Sequence, residues 1–153
     1  GGASRCVLSL GHIVEAVSVW GAGMKMTVIH RFLLVDDDTA YRLLLASLFK
    51  IQGTEIWEAS SPTTALGRLA ERPIHTVLIG AGADFVFAAT VARRIRGRYG
   101  AKTPRLVALT SNAPEMAARH EAAEAFDLLH RRVFDLAGVE ALIDRLRAMP
   151  PVR

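Results

Sequence analysis

The sequence predicts an α/β domain in three layers, in which a doubly wound five-stranded parallel sheet lies between two layers of helices. From residue 31 onward, short aliphatic or β-branched runs alternate five times with longer segments whose apolar residues recur at the helical period. Strands separated by helices imply right-handed crossovers and therefore parallel pairing, with both faces of the sheet covered. The length of 153 residues suits one domain with a single core.

The elements follow from local pattern and from the residues at their ends. Five short apolar runs predict strands over residues 31–36, 55–59, 76–80, 105–110 and 127–131. Asp38 is predicted to cap the first helix, Ser61 followed by Pro62 the second, and Asp84 the third. Gly53 lies where a helix typically ends in a left-handed residue, and Pro73 ends the second helix.

The first twenty-six residues differ in character, because they are rich in small residues and carry few charges. His12 and Glu15 interrupt the apolar stretch, which argues against a secretory signal and against a membrane span. We interpret residues 1–26 as an N-terminal extension with a short amphipathic helix within residues 12–20, and residues 27–153 as a single domain.

Composition restricts the class of protein. Hydrophobic residues make up 51% and charged residues 22%, which is typical of a globular chain. The lone Cys6 excludes a disulfide framework and favours a reducing, cytoplasmic setting. The net charge of +4 permits an acidic partner, but Tyr99 alone offers a stacking ring beside the basic residues, so neither nucleic acid nor a membrane is expected as a partner. Six cations are interpreted as a solvated helix end: Arg93, Arg94, Arg96, Arg98, Lys102 and Arg105.

Ligands of parallel sheets sit beyond the carboxyl ends of the strands, so the residues at the strand exits are the informative ones. The first strand ends in three consecutive carboxylates, residues 36–38, whose mutual repulsion costs free energy unless a cation lies nearby. The other exits carry Gly80, Thr110 and Arg132. These residues define the candidate site.

The stretch FLLVDDDTAYRLLLASLF, residues 32–49, resembles the start of a receiver domain of the two-component response regulators, and the resemblance extends from about residue 31 to residue 149. It implies a flavodoxin-like sheet with strand order 2-1-3-4-5. It also implies an acidic pair that binds Mg²⁺, a phosphate-accepting aspartate after the third strand, a Ser or Thr after the fourth, and a lysine after the fifth.

Only part of that pattern is present. Asp36 and Asp37 match the acidic pair and Thr110 matches the hydroxyl, but Gly80 occupies the acceptor position and Arg132 replaces the lysine. Glycine has no side chain to accept a phosphoryl group, so we expect neither phosphotransfer nor any other enzymatic activity. The two aspartates are expected to bind Mg²⁺ weakly or to pair with the Arg132 guanidinium, and no other cofactor is expected.

Two functions from different classes fit the sequence. The favoured one is a stand-alone, non-phosphorylatable receiver-like module that contacts a histidine kinase or an output domain, with a homodimer left open. The alternative is a small-molecule or metal-binding module that reuses the strand-exit pocket. The first is favoured because the exits offer no His, Ser or Cys constellation. Its resemblance-implied switch positions are Thr110, Leu129 and Arg132, and its expected interaction face is a basic rim around an exposed Leu129: Arg119, His120, Arg131 and Arg145.

Overall fold

The computed structural model describes residues 4–9, 14–20, 23–82, 85–111 and 124–150, and up to residue 29 it describes the backbone alone. The strands run as follows: β1 Ser4–Ser9, β2 Val14–Trp20, β3 Gly23–Ile29, β4 Arg31–Val35, β5 Glu55–Ala59, β6 Thr76–Gly80, β7 Arg105–Thr110 and β8 Leu128–Arg131. The helices are α1 Thr39–Ile51, α2 Pro62–Glu71, α3 Val86–Tyr99 and α4 Leu136–Ala148, with a 3₁₀ turn at Gly100–Lys102.

Five strands form one parallel sheet in the order β5-β4-β6-β7-β8. Counted from β4 this is the order 2-1-3-4-5, so the predicted fold class is confirmed. Strands β6 and β7 are buried along their whole length, as expected for central strands covered on both faces.

The side chains of β4 alternate between two apolar cores, because successive residues of a strand point to opposite faces. Phe32 and Leu34 pack on the side that α1 and α4 cover, in a cluster that includes Phe49 and Leu142. The other face carries a second cluster, to which α2 and α3 contribute Ala65, Ala88, Val91, Ala92 and Ile95. The three-layer α/β/α arrangement follows directly.

The predicted ends of α1 and α2 are confirmed, whereas the predicted start of α3 is wrong: its N-cap is Phe85, which has a φ of 64° and makes no side-chain capping bond. The Asp38 side chain accepts a hydrogen bond from the Tyr41 amide at 3.1 Å, and that of Ser61 accepts one from the Thr64 amide at 3.1 Å. Gly53 has a φ of 78°, the left-handed conformation that glycine adopts without steric cost. The predicted cap Asp84 lies outside the described residues.

The extension contains strands where the sequence analysis placed a helix. Strands β1, β2 and β3 form a separate antiparallel sheet in that order, with Val14 opposite Ile29 and Trp20 opposite Gly23. The helix predicted within residues 12–20 is therefore wrong, because three valines in seven residues favour an extended chain. The boundary drawn between residues 26 and 27 falls inside β3.

Candidate functional site

The exits of β4, β6, β7 and β8 meet at one edge of the sheet. Val35 pairs with Ile79, and Gly80 pairs with Leu109. Thr110 in turn pairs with Arg131, the last residue of β8. The residues that end or follow these strands are therefore neighbours, as the sequence predicts: Asp36, Gly80, Thr110 and Arg132.

Gly80 and Asp36 compete for the same space. A Cβ atom added to Gly80 would lie 2.0 Å from Oδ2 and 2.4 Å from Cγ of Asp36. Real Cβ atoms do not approach other heavy atoms so closely. The Asp36 carboxylate thus fills the position where a side chain at residue 80 would begin, and only glycine is compatible with that placement.

This carboxylate is almost completely buried, with 2% of Asp36 exposed. Oδ1 accepts a hydrogen bond from the Asp38 amide at 2.9 Å, while Oδ2 has no hydrogen-bond partner among the described residues. Burial raises the pKa of the Asp36 carboxyl above its ordinary value, the Asp38 amide and the charge of Arg132 lower the pKa, and the charges of Asp37 and Asp38 raise it further.

The three consecutive carboxylates therefore have different surroundings. Asp37 and Asp38 are exposed, and Asp38 caps α1. Among the described residues, no group of three or more His, Cys, Asp or Glu side chains is placed to hold a metal ion. Because the Asp38 side chain caps α1, a cation at this edge would take Asp36 and Asp37 as its carboxylate ligands among the described residues, and water or backbone oxygens would complete its coordination shell.

Arg132 does not form the predicted ion pair. Its guanidinium carbon lies 4.6 Å from the centroid of the Tyr41 ring, and it makes no salt bridge within 4.0 Å to Asp36 or Asp37 among the described residues. Tyr41 is held in place because its hydroxyl accepts a hydrogen bond from the Val133 amide at 3.0 Å. A cation–π contact replaces the expected ion pair, and the charge still acts on Asp36 from a distance.

The sequence analysis missed the arginine that does contact the Asp36 backbone. Arg42 Nη1 donates to the Asp36 carbonyl oxygen at 2.9 Å, and Arg42 Nε donates to Glu58 Oε1 at 3.1 Å. Arg42 lies four residues after the cap Asp38, one turn into α1, and that spacing was the available signal. Arg42 thus links the loop that carries the carboxylates to β5 by hydrogen bonds.

The predicted switch positions and interaction face are only partly described. Thr110 is buried, and Leu129 is half-buried and packs against the core on the α3 side, so the expectation of an exposed Leu129 is wrong. Arg131 and Arg145 are exposed, and Arg145 Nη1 donates to the Leu129 carbonyl oxygen at 3.3 Å. The predicted residues Arg119 and His120 lie outside the described residues.

One cation of the presumed solvated helix end is not solvated. Arg105, the first residue of β7, is only 7% exposed, whereas Arg94, Arg98 and Lys102 are exposed. Its position at the start of a central strand was the signal for burial, because both faces of such a strand are covered.

Comparisons with known proteins agree with this geometry. No protein-family model matches the chain, and no curated protein matches it. Solved structures do match: a CheY-like receiver domain from Methylobacillus flagellatus is 22% identical with a TM-score of 0.64, over 77% of this chain and 98% of that one. Response regulator TrrA from Thermotoga maritima, in complex with Mg²⁺ and BeF, is 21% identical with a TM-score of 0.62, over 76% and 98%.

A third match is the receiver domain of a sensor histidine kinase from Pseudomonas aeruginosa with a magnesium ion in its active-site cleft, at 17% identity and a TM-score of 0.62, over 76% of this chain and 95% of that one. The strand order alone defines a doubly wound, flavodoxin-like protein. The structural matches narrow this class, and the chain has the fold of the response regulator receiver domains. In the part of the chain that the structure describes, no helix is long and apolar enough to span a membrane.

Proposed function

We propose that this chain is a non-phosphorylatable receiver-like module that acts by contact with another signalling protein in a two-component-type pathway. The observation that carries the proposal is the overlap of the Asp36 carboxylate with the place of a side chain at Gly80. A phosphoryl acceptor must present a nucleophilic carboxylate in line with the donor, and residue 80 has none. The module is not an enzyme under this proposal, and it works in the cytoplasm.

Without phosphorylation, nothing shifts the module between two states. Its binding surface then rests in one competent arrangement, which avoids the loss of affinity that a sparsely populated state causes. Arg131 and Arg145 are exposed on the last strand and the last helix, and they give this surface a positive charge. A partner with an acidic surface fits it, such as a histidine kinase or an output domain.

The experiment is capture of the partner from the native host by the immobilised full chain, without any phosphodonor. The expected result is that the chain and its Gly80→Asp variant capture the same partner, with no gain from adding acetyl phosphate and Mg²⁺. Capture only by the variant, and only with the phosphodonor, would refute constitutive binding.

Weak metal binding is the second candidate property, and the buried Oδ2 of Asp36, which has no hydrogen-bond partner in the described part of the chain, favours it. Asp36 and Asp37 would hold the cation. With two carboxylates the dissociation constant for Mg²⁺ is expected to be on the order of millimolar or weaker. Titration with Mg²⁺ of the chain and of Asp37→Asn measures it, and an equal response of the two would show that the acidic pair binds no metal.

A further inference from the structure

A cleft lies at the edge of the sheet opposite to the carboxylates. Its volume is about 510 Å³, in the range of pockets that bind small molecules. Thr76 and Arg105, the first residues of β6 and β7, line it together with the 3₁₀ turn and the end of α4. It is thus separate from the strand-exit site, and an inference about it does not depend on the proposed signalling role.

The lining residues of this cleft carry basic side chains and no acidic one. The basic residues are His30, His75, Lys102, Arg105 and Arg147. One lining residue, Arg147, pairs with Asp144 at 3.9 Å, but both side chains are more than three-quarters exposed and such pairs contribute little. The cleft therefore has a positive potential that would attract an anion.

Arg105 gives the strongest indication of an anion site, because its charge is buried and no described carboxylate pairs with it. Its guanidinium donates to the carbonyl oxygens of Leu146, at 2.9 Å, and of Pro150, and it makes no salt bridge among the described residues. A guanidinium has five N–H donors, so these contacts leave donors for a ligand. Burying a cation without an anion is costly, and a bound oxyanion would remove that cost.

The positive charges of Arg105 and Arg147 also act on His30, another residue that lines the cleft. The His30 ring is half-buried and its Nε2 lies 2.7 Å from the Thr76 hydroxyl. Burial lowers the pKa of His30 to about 4, and the nearby His75, Arg105 and Arg147 lower it as well. The His30 ring is accordingly neutral at pH 7, and Lys102, Arg105 and Arg147 are the lysine and arginine charges that line the cleft.

Part of the lining is apolar, namely Ile74, Leu146 and Met149. We propose that this cleft binds a small organic oxyanion, whose charged group contacts Arg105, Arg147 and Lys102 and whose apolar body packs against Ile74, Leu146 and Met149. An aromatic phosphate ester is a ligand of the proposed chemistry, and inorganic phosphate tests the charged part alone.

The test is titration of the full chain with phenyl phosphate and, separately, with inorganic phosphate at constant ionic strength. Binding is monitored through the backbone amide signals in NMR spectra. We expect shifts concentrated at Thr76, Thr103 and Arg105, with phenyl phosphate binding about fivefold tighter than phosphate because its ring is buried. The double variant Lys102→Glu, Arg147→Glu should bind phenyl phosphate at least about tenfold more weakly.

The matched control is Arg94→Glu, Arg131→Glu, which changes the net charge equally at exposed residues outside the cleft. Its affinity should stay within about twofold of the original chain, as expected for screened, distant charges. The proposal is overturned if the control weakens binding as much as the cleft variant does, or if neither probe shifts the cleft amides. Equal affinity for the two probes would contradict the apolar part of the site.

Discussion

At the scale of single residues, the pair Gly80 and Asp36 determines the chemistry of the strand-exit edge. The absence of a side chain at residue 80 and the placement of the Asp36 carboxylate in that space are mutually dependent. Restoring a side chain requires this carboxylate to rotate away from a position where it accepts the Asp38 amide. Residue 80 therefore has neither a functional side chain nor the space for one while Asp36 keeps this position.

Asp36 is predicted to cost stability when ionised, so Asp36→Asn should stabilise the fold. Asparagine keeps an oxygen for the Asp38 amide and removes a buried charge, and we expect a gain of about 1 kcal/mol at neutral pH. The gain should vanish at low pH, because the folded-state pKa is raised above 3.8 and the carboxyl is protonated below it. Urea unfolding of both chains at neutral and at low pH measures this difference in the free energy of unfolding. Asp37→Asn, at an exposed residue, is the control, and a destabilised Asp36→Asn chain would contradict the account.

His30 makes stability fall in mild acid. Its pKa is lowered to about 4 in the folded chain, against 6.5 in the unfolded chain, so the unfolded chain binds more protons between these values. Stability is then lost as the pH falls from about 6.5 towards 4, by on the order of 1 kcal/mol after allowance for partial exposure. Unfolding of the chain and of His30→Gln at pH 7 and pH 5 measures the loss, and the variant should lose less. An equal loss in both would contradict the prediction.

At the scale of elements, the charges on β8 and α4 are predicted to determine partner binding. Arg131→Glu, Arg145→Glu should weaken capture of the native partner by on the order of 2 kcal/mol, mainly through slower association and with strong salt dependence. The fold should persist, because both residues are exposed. The charge-matched control is Arg94→Glu, Arg98→Glu on α3, in the opposite helix layer. Equal weakening by this control would show that the effect comes from net charge alone.

The N-terminal sheet is predicted to be dispensable for the parallel sheet. A chain that starts at His30 removes β1 to β3 whole, whereas a start at Met26 would leave a fragment of β3. We expect the shorter chain to unfold cooperatively, with a midpoint within about 8 °C of the full chain, which corresponds to a few kcal/mol at most. Calorimetry of both chains measures this difference. A larger drop would show that residues 4–29 stabilise the domain.

At the scale of the whole molecule, patterns of neighbouring residues were sufficient for most of the fold. Strands β5, β6 and β7 match their predicted bounds because each is a short apolar run, and Asp38, Ser61 and Gly53 act at helix ends through contacts within a few residues. The convergence of the strand exits follows from parallel pairing alone.

The remaining features depend on contacts distant in sequence. Whether Arg132 meets an aspartate or the Tyr41 ring, and whether Leu129 and Arg105 are exposed, is decided by how helices pack on the sheet. Local sequence carries little information on such packing. The helix predicted within residues 12–20 was wrong for a different, local reason, since three valines in seven residues favour the extended chain that pairs with β1 and β3.

Intact mass spectrometry after incubation with acetyl phosphate and Mg²⁺ tests whether the module accepts a phosphoryl group. The account predicts an unchanged mass, because glycine at residue 80 offers no nucleophile and the Asp36 carboxylate fills its place. A stoichiometric gain of one phosphoryl group would contradict it, and loss of that gain in Asp38→Asn or Asp84→Asn would identify the surrogate acceptor.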